Sequence, residues 1–286
     1  MTIADHGERE PTEPWGNTVL VEFSDDIAWV TMNRPEKRNA MNPTMNDEMI
    51  RVLDALETDP RCKLLVLTGA GNAFSAGMDL KEFFRDLDSG PHVNKMRASR
   101  AASMWHWRML LHYYKPTIAM VNGWCIGGGI TPTIACDVAI AAEDATFGIS
   151  EINWGIIPAG NLAKAVATVM NDKKAMYYIM TGETFDGKKA AELGIVTEAV
   201  PREQLRERVM VIAKTLMSKN PTALRQAKIA YRYASQMTWD EGAEYLVAKN
   251  EQTAYQDPER GRDKAMKQFL DEKKIRPGVE NFKRDE

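Results

Sequence analysis

Two short apolar runs, 63–68 (KLLVLT) and 117–121 (TIAMV), each pass straight into a glycine-rich loop and then into a helix-patterned segment. Runs this short, rich in branched residues and stopped by glycine, read as strands buried on both faces. A third, 137–141, repeats the theme. Buried strands alternating with helices predict an α/β fold on a mostly parallel sheet. Upstream, 18–23 and 27–32 flank Ser24-Asp25-Asp26 and read as a hairpin. The spacing of Met45, Met49, Val52, Leu53 and Leu56 predicts a helix over 43–57 capped by Asn42, and further helices are predicted over 78–87, 93–113 and from 130. Residues 69–77 and 122–129 read as loops, and the chain from Asn161 onward as almost wholly helical. The organisation expected is a loose tail over 1–15, an α/β core over 16–200 and a helical region over 201–286.

Composition excludes several classes. The 286 residues suffice for a substantial core, and a formal net charge of −3 with no basic stripe argues against nucleic acid. Cys62, Cys125 and Cys136 are scattered in apolar runs, with no CxxC pair, so buried free thiols are expected and no metal site. The polar N-terminus lacks the apolar stretch of a secretory signal, and no apolar run approaches the roughly 20 residues of a membrane span. A cytoplasmic location without membrane attachment is the expectation.

Three segments carry candidate chemistry. Gly127-Gly128-Gly129 opens a helix, where close backbone approach and unpaired N–H groups suit a phosphate or a developing oxyanion. It has neither the lysine of a Walker loop nor a GxGxxG pattern, and alone it reads as a tight packing turn. Ser75-Ala76-Gly77-Met78-Asp79-Leu80 is a second small-residue loop between a buried strand and a helix. Two such loops at the carboxyl ends of one sheet can each aim an N–H at a single oxygen. Glu151, between Ile149 and Ile152 with Trp154 nearby, sits where desolvation raises a carboxyl pKa and suits proton transfer; alone it reads as a capping or solvent-facing glutamate.

Together these segments resemble the crotonase (enoyl-CoA hydratase/isomerase) superfamily. The resemblance runs from Asn33-Arg34-Pro35-Glu36-Lys37-Arg38-Asn39-Ala40-Met41 through Ser75–Leu80, the stretch 115–123, Gly127-Gly128-Gly129, Ala135-Cys136-Asp137, Phe147-Gly148 and Gly182, in matching order over roughly residues 17–260. It implies a crotonase-type spiral of ββα units with a helical C-terminal trimerisation region, assembled as a homotrimer or as a hexamer of two trimers. It implies that the Met78 and Gly128 N–H groups form an oxyanion hole. The segment 33–40 would lie along coenzyme A, with Lys37 and Arg38 near its phosphates or adenine. The acyl-CoA itself is the only cofactor-like group implied.

One position separates this chain from ordinary hydratases of that superfamily, which use two glutamates. Where the first would stand, two residues after the glycines, the chain has Thr131, leaving Glu151 alone. That pattern resembles a subfamily, the hydroxycinnamoyl-CoA hydratase-lyases, as do 77–82, 121–125, 150–156, 177–182 and 266–271. The implied activity is hydration of a hydroxycinnamoyl-CoA such as feruloyl-, p-coumaroyl- or caffeoyl-CoA, then retro-aldol cleavage to an aromatic aldehyde and acetyl-CoA. Site residues implied besides Glu151, Met78 and Gly128 are Lys37, Arg38, Ala40, Ala76, Asp79, Leu80, Lys81, Phe83, Gly129, Ile130, Thr131, Ser150, Trp154, Gly160, Tyr245 and Val247. Phe83 and Val247 stand where the subfamily has tyrosines implicated in gripping the aryl hydroxyl. Ser150, Trp154 and Thr131 shape the pocket in this reading, with core packing as the alternative for Trp154. The rival activities are an enoyl-CoA hydratase or isomerase on other acyl chains, and a non-catalytic acyl-CoA-binding protein on the same fold.

Overall fold

The computed structural model describes residues 15–276, 278 and 280–284. All of the expected tail except Trp15 lies outside these. The chain divides into two compact units, one running to Tyr113 and from Thr117 to Val209, the other comprising Tyr114–Pro116 and the chain from Met210.

The first unit holds two sheets. The larger contains β1 (Val19–Ser24), β2 (Ile27–Met32), β3 (Leu64–Gly69), β5 (Thr117–Val121), β7 (Val138–Ala142) and β10 (Glu198–Val200), side by side in that order. Only the β1–β2 pair is antiparallel. Its turn places Asp25 and Asp26 at positive φ, the left-handed conformation that a tight two-residue hairpin requires. Strands β3 and β5 are buried at every residue, which is why they read as unbroken apolar runs.

The smaller sheet contains β4 (Ala73–Ser75), β6 (Trp124–Ile126), β8 (Thr146–Gly148) and β9 (Thr184–Asp186). Its first three strands run parallel, and β9 closes the sheet antiparallel to β8. The chain thus crosses from β3 to β4, from β5 to β6 and from β7 to β8 before each helix, which is the expected succession of ββα turns.

Three expectations are corrected here. The stretches 69–77 and 122–129 are not plain loops, since each holds a strand of the smaller sheet. β8 was likewise not foreseen as a strand, and the chain beyond Asn161 contains β9 and β10 among its helices. Strands of three residues cannot display a hydrophobic period, so composition hides them.

The helix Pro43–Thr58 is capped by the Asn42 side chain, which accepts from the Met45 N–H. It buries Met45, Met49, Val52, Leu53 and Leu56 on one face, as their spacing requires. The helix His92–Ser103 continues into a wide turn, Met104–Met109, with π-type hydrogen bonding. In the second unit the helices Pro221–Ala234 and Trp239–Gln256 follow caps at Asn220 and Thr238, the latter with a full capping box to Glu241. Cys62, Cys125 and Cys136 are buried free thiols, as expected. No helix among the described residues is long and apolar enough to cross a membrane.

Candidate active site

Because β4, β6 and β8 are parallel neighbours, the segments that leave their carboxyl ends emerge side by side. These are Ala76–Asp79, Gly127–Gly129 and Ile149–Glu151, so the smaller sheet gathers all three candidate segments on one edge. The sequence reading assigned this role to the carboxyl ends of the larger sheet; the short strands perform it instead.

The Met78 segment is held from its far side. Met41 N–H donates to Gly77 O at 2.8 Å, and Asp79 N–H donates to Met41 O at 3.0 Å. In such a parallel bridge the intervening Met78 N–H faces the opposite way. On that side stands the glycine turn. A Cβ added to Gly77 would lie 2.8 Å from Ile126 O and 3.3 Å from Gly128 N, and Gly77 has φ +86°. Only glycine permits both this conformation and this approach. A Cβ on Gly128 would in turn lie 3.4 Å from Met78 Cγ. The two backbones are therefore in direct contact.

Glu151 completes the cluster. It opens a short 3-10 turn, Glu151–Trp154, and its Oε1 lies 2.6 Å from where a Gly127 Cβ would be. Oε2 is buried and has no hydrogen-bond partner among the described residues. Burial pushes the carboxyl up to about 7, opposed only by the hydrogen bond from its own backbone N–H. A proton acceptor near neutrality thus sits against the glycine turn whose first N–H groups are available to a ligand oxygen.

A second network fixes the segment 34–42 beside these loops. Arg34, almost wholly buried, binds Asp79 at 3.0 Å and Glu82 at 2.7 Å and donates to Ala40 O. Asp79 also caps the following helical turn, accepting from the Lys81 and Glu82 N–H groups, and its carboxyl lies below its usual range, through these hydrogen bonds and Arg34 against the opposing effect of burial. Asn39 accepts from Arg34 N–H and donates to Ala70 O and Ala73 O, while Ala76 N–H donates to Arg38 O. The Arg38 guanidinium lies over the Trp124 ring at 4.3 Å.

These elements surround a cavity of about 1070 Å³ within the first unit. Of the site residues expected from sequence, Lys37, Arg38, Ala40, Ala76, Met78, Asp79, Leu80, Lys81, Phe83, Gly128, Ser150, Glu151, Trp154 and Gly160 line it. Gly129, Ile130 and Thr131 do not. Gly129 ends the glycine turn, and Ile130 and Thr131 begin the helix Ile130–Ala135, which carries them into the interior, where both are wholly buried. Tyr245 and Val247 belong to the second unit, on Trp239–Gln256, and are not among the lining residues. Trp154 is not packed in a core: it is 64% exposed at the rim.

Sequence reasoning missed His106, Phe84, Trp124 and Asn153, which also line the cavity. Trp124 had a readable signal, an aromatic flanked by glycine turns. His106 had none, being one polar residue inside an aromatic helical run. Among the described residues no cluster of histidine, cysteine or acidic side chains is suited to a metal ion.

Residues 22–277 match the sequence model of the enoyl-CoA hydratase/isomerase family. The chain belongs to that family. Among its relatives is the hydroxycinnamoyl-CoA hydratase-lyase of Pseudomonas fluorescens, 55% identical over 267 residues that cover 93% of this chain and 97% of that protein. The mevalonyl-coenzyme A hydratase of Aspergillus fumigatus is 32% identical over 76% of this chain and 79% of its own. Among solved structures, the enoyl-CoA hydratase of Bacillus anthracis superposes with a TM-score of 0.80 at 26% identity, covering 89% of this chain and 96% of that one. The crotonase-type fold of this family member is thereby established.

Proposed function

We propose that the protein is a lyase that hydrates a hydroxycinnamoyl-CoA thioester and cleaves the product to an aromatic aldehyde and acetyl-CoA. The observation that carries the reading is the single half-buried carboxyl of Glu151, held against the Gly127–Gly129 turn where that turn meets Met78. The high identity to the Pseudomonas hydratase-lyase supports the substrate class.

The thioester oxygen accepts from the Met78 and Gly128 N–H groups. Glu151 takes a proton from water as its oxygen bonds to the β-carbon, and negative charge moves onto the thioester oxygen, where fixed donors stabilise it. The proton then passes from Glu151 to the α-carbon. In the second half Glu151 removes the β-hydroxyl proton, the Cα–Cβ bond breaks, the aldehyde leaves, and the same two N–H groups hold the acetyl-CoA enolate until it is protonated at carbon. Eleven of the other expected residues line the same cavity, with Lys37 and Arg38 supplying cations for the phosphates of the thioester's coenzyme A portion. Every step uses protons and the substrate's own electrons, so no metal or redox cofactor takes part.

The same reading has the protein working in the cytoplasm as a homotrimer or a pair of trimers. Exposed apolar residues at 152, 154, 157 and 180 support association. An aliphatic enoyl-CoA hydratase is the rival reading, favoured by the apolar Phe83. Loss of the enoyl-thioester absorbance on adding protein tests for catalysis against mere binding. Absorbance that stays constant with cinnamoyl-CoA esters and aliphatic enoyl-CoA alike contradicts the proposal.

A further inference from the structure

The wall of the cavity formed by the segment after Asp79 and by His92–Ser103 holds an apolar cluster beside Lys81, Lys95, Ser99 and Ser103. Phe83, Ala98 and Ala102 form a buried cluster there, with Met78, Phe84 and Leu87 packed against it. Phe83 and Phe84 meet edge to face with ring centroids 5.3 Å apart. Past Ala102 the helix widens into the turn Met104–Met109, and neighbouring side chains that a regular helix would splay apart, Trp105 and His106, are both buried. Trp105 donates to Asn46 Oδ1 at 2.8 Å, so its polar atom is satisfied. His106 is different. It is 3% exposed, it lines the cavity, and its Nε2 is buried without a hydrogen-bond partner among the described residues.

A buried polar atom left without a partner weakens the fold, so native structures rarely keep one unless a ligand or water answers it. Burial also drives the His106 ring down to about 3, so it is neutral at physiological pH. A neutral imidazole offers one N–H and one bare nitrogen. A hydroxyl, both donor and acceptor, satisfies either, whereas an ether satisfies only the N–H. Aromatic and small side chains of the same cavity suit an aromatic ring, and His106 suits a hydroxyl on it.

We infer that His106 is a specificity-determining residue of the acyl pocket, hydrogen-bonding a hydroxyl on the aromatic ring of the acyl group. This rests on the acyl-CoA reading of the cavity given above. His106 takes no part in proton transfer at the reacting carbons; it selects among ring substituents by leaving its own polar atom unpaired when the hydroxyl is missing.

The test uses two thioesters that lack the double bond and so cannot react, 3-(4-hydroxyphenyl)propanoyl-CoA and 3-phenylpropanoyl-CoA. Calorimetry gives Kd for each with the unmodified protein, with His106→Leu and with His106→Gln. The unmodified protein is expected to bind the hydroxylated ester about tenfold tighter, about 1.4 kcal/mol. His106→Leu is expected to lose that preference and His106→Gln to keep part of it. His106→Met replaces the leucine variant if that one fails to fold by circular dichroism. Equal affinity for both esters in the unmodified protein overturns the inference, as does an apolar variant that retains the preference, including one that weakens both esters alike. Neither ester is a substrate, so the result is independent of the lyase reaction, which product analysis with the unsaturated esters decides separately.

Discussion

At the scale of single residues the proposed chemistry concentrates on Glu151. Its carboxyl is pushed up to about 7 because burial disfavours the anion and only its own N–H opposes this. Below that value it is protonated and cannot take a proton from water. The kcat/KM of the unmodified protein is therefore expected to rise with pH through about 7 and then level off, and a pH–rate profile checks it. Stability has the opposite sign. The folded-state pKa lies above the ordinary 4.5, so stability associated with the neutral form is present below 4.5 and is lost as pH rises through about 7. Glu151→Gln, permanently neutral, is expected to gain stability relative to the unmodified protein at alkaline pH, as thermal melts at acid and alkaline pH will read. The same variant is expected to lower kcat by about 10²-fold or more while still binding the thioester, which single-turnover kinetics and calorimetry separate. At Gly128, a Cβ would touch Met78 Cγ at 3.4 Å, and the branches of valine reach further. Gly128→Val is accordingly expected to cover the turn and abolish turnover in steady-state assays without unfolding the protein.

At the scale of elements, three short parallel strands gather the candidate site, and the turns after them line it. Gly77 joins two of these turns closely, with φ +86° and Ile126 O at 2.8 Å from a would-be Cβ. Gly77→Ala is expected to cost about 1–3 kcal/mol of stability through backbone strain and to lower activity by displacing the Met78 N–H, measured by chemical denaturation and kcat. Much of this frame was legible in the sequence. Residues 63–68 and 117–121 read as strands because they are buried at nearly every residue, and Asn42 reads as a cap because a short polar side chain before a helix has few other uses there. The strands β4, β6, β8 and β9 were hidden by length, since three residues show no period and β6 lies between glycines. The loops at 75–80 and 127–129 could be read as ligand-binding turns, yet no local pattern states that Gly77 meets Gly128. That contact arises from sheet order. The burial of Thr131 followed from the direction in which a helix begins, and the exposure of Trp154 from a 3-10 turn; neither is written in residue type.

At the scale of the whole molecule, the first unit leaves Ile152, Trp154, Ile157 and Met180 exposed, with Ile157 at 74%. Such residues on one segment and a nearby helix favour association between copies. Sedimentation equilibrium is expected to give a mass of three chains or six; a monomer at micromolar concentration would count against the assembly. The central claim concerns what this protein does with an acyl-CoA thioester. The most direct measurement is product analysis after incubation with 4-hydroxycinnamoyl-CoA esters, following thioester, aldehyde and acetyl-CoA together. The account predicts aromatic aldehyde and acetyl-CoA in equal amounts, both lost in Glu151→Gln. A β-hydroxy thioester that accumulates and persists with no aldehyde would contradict it.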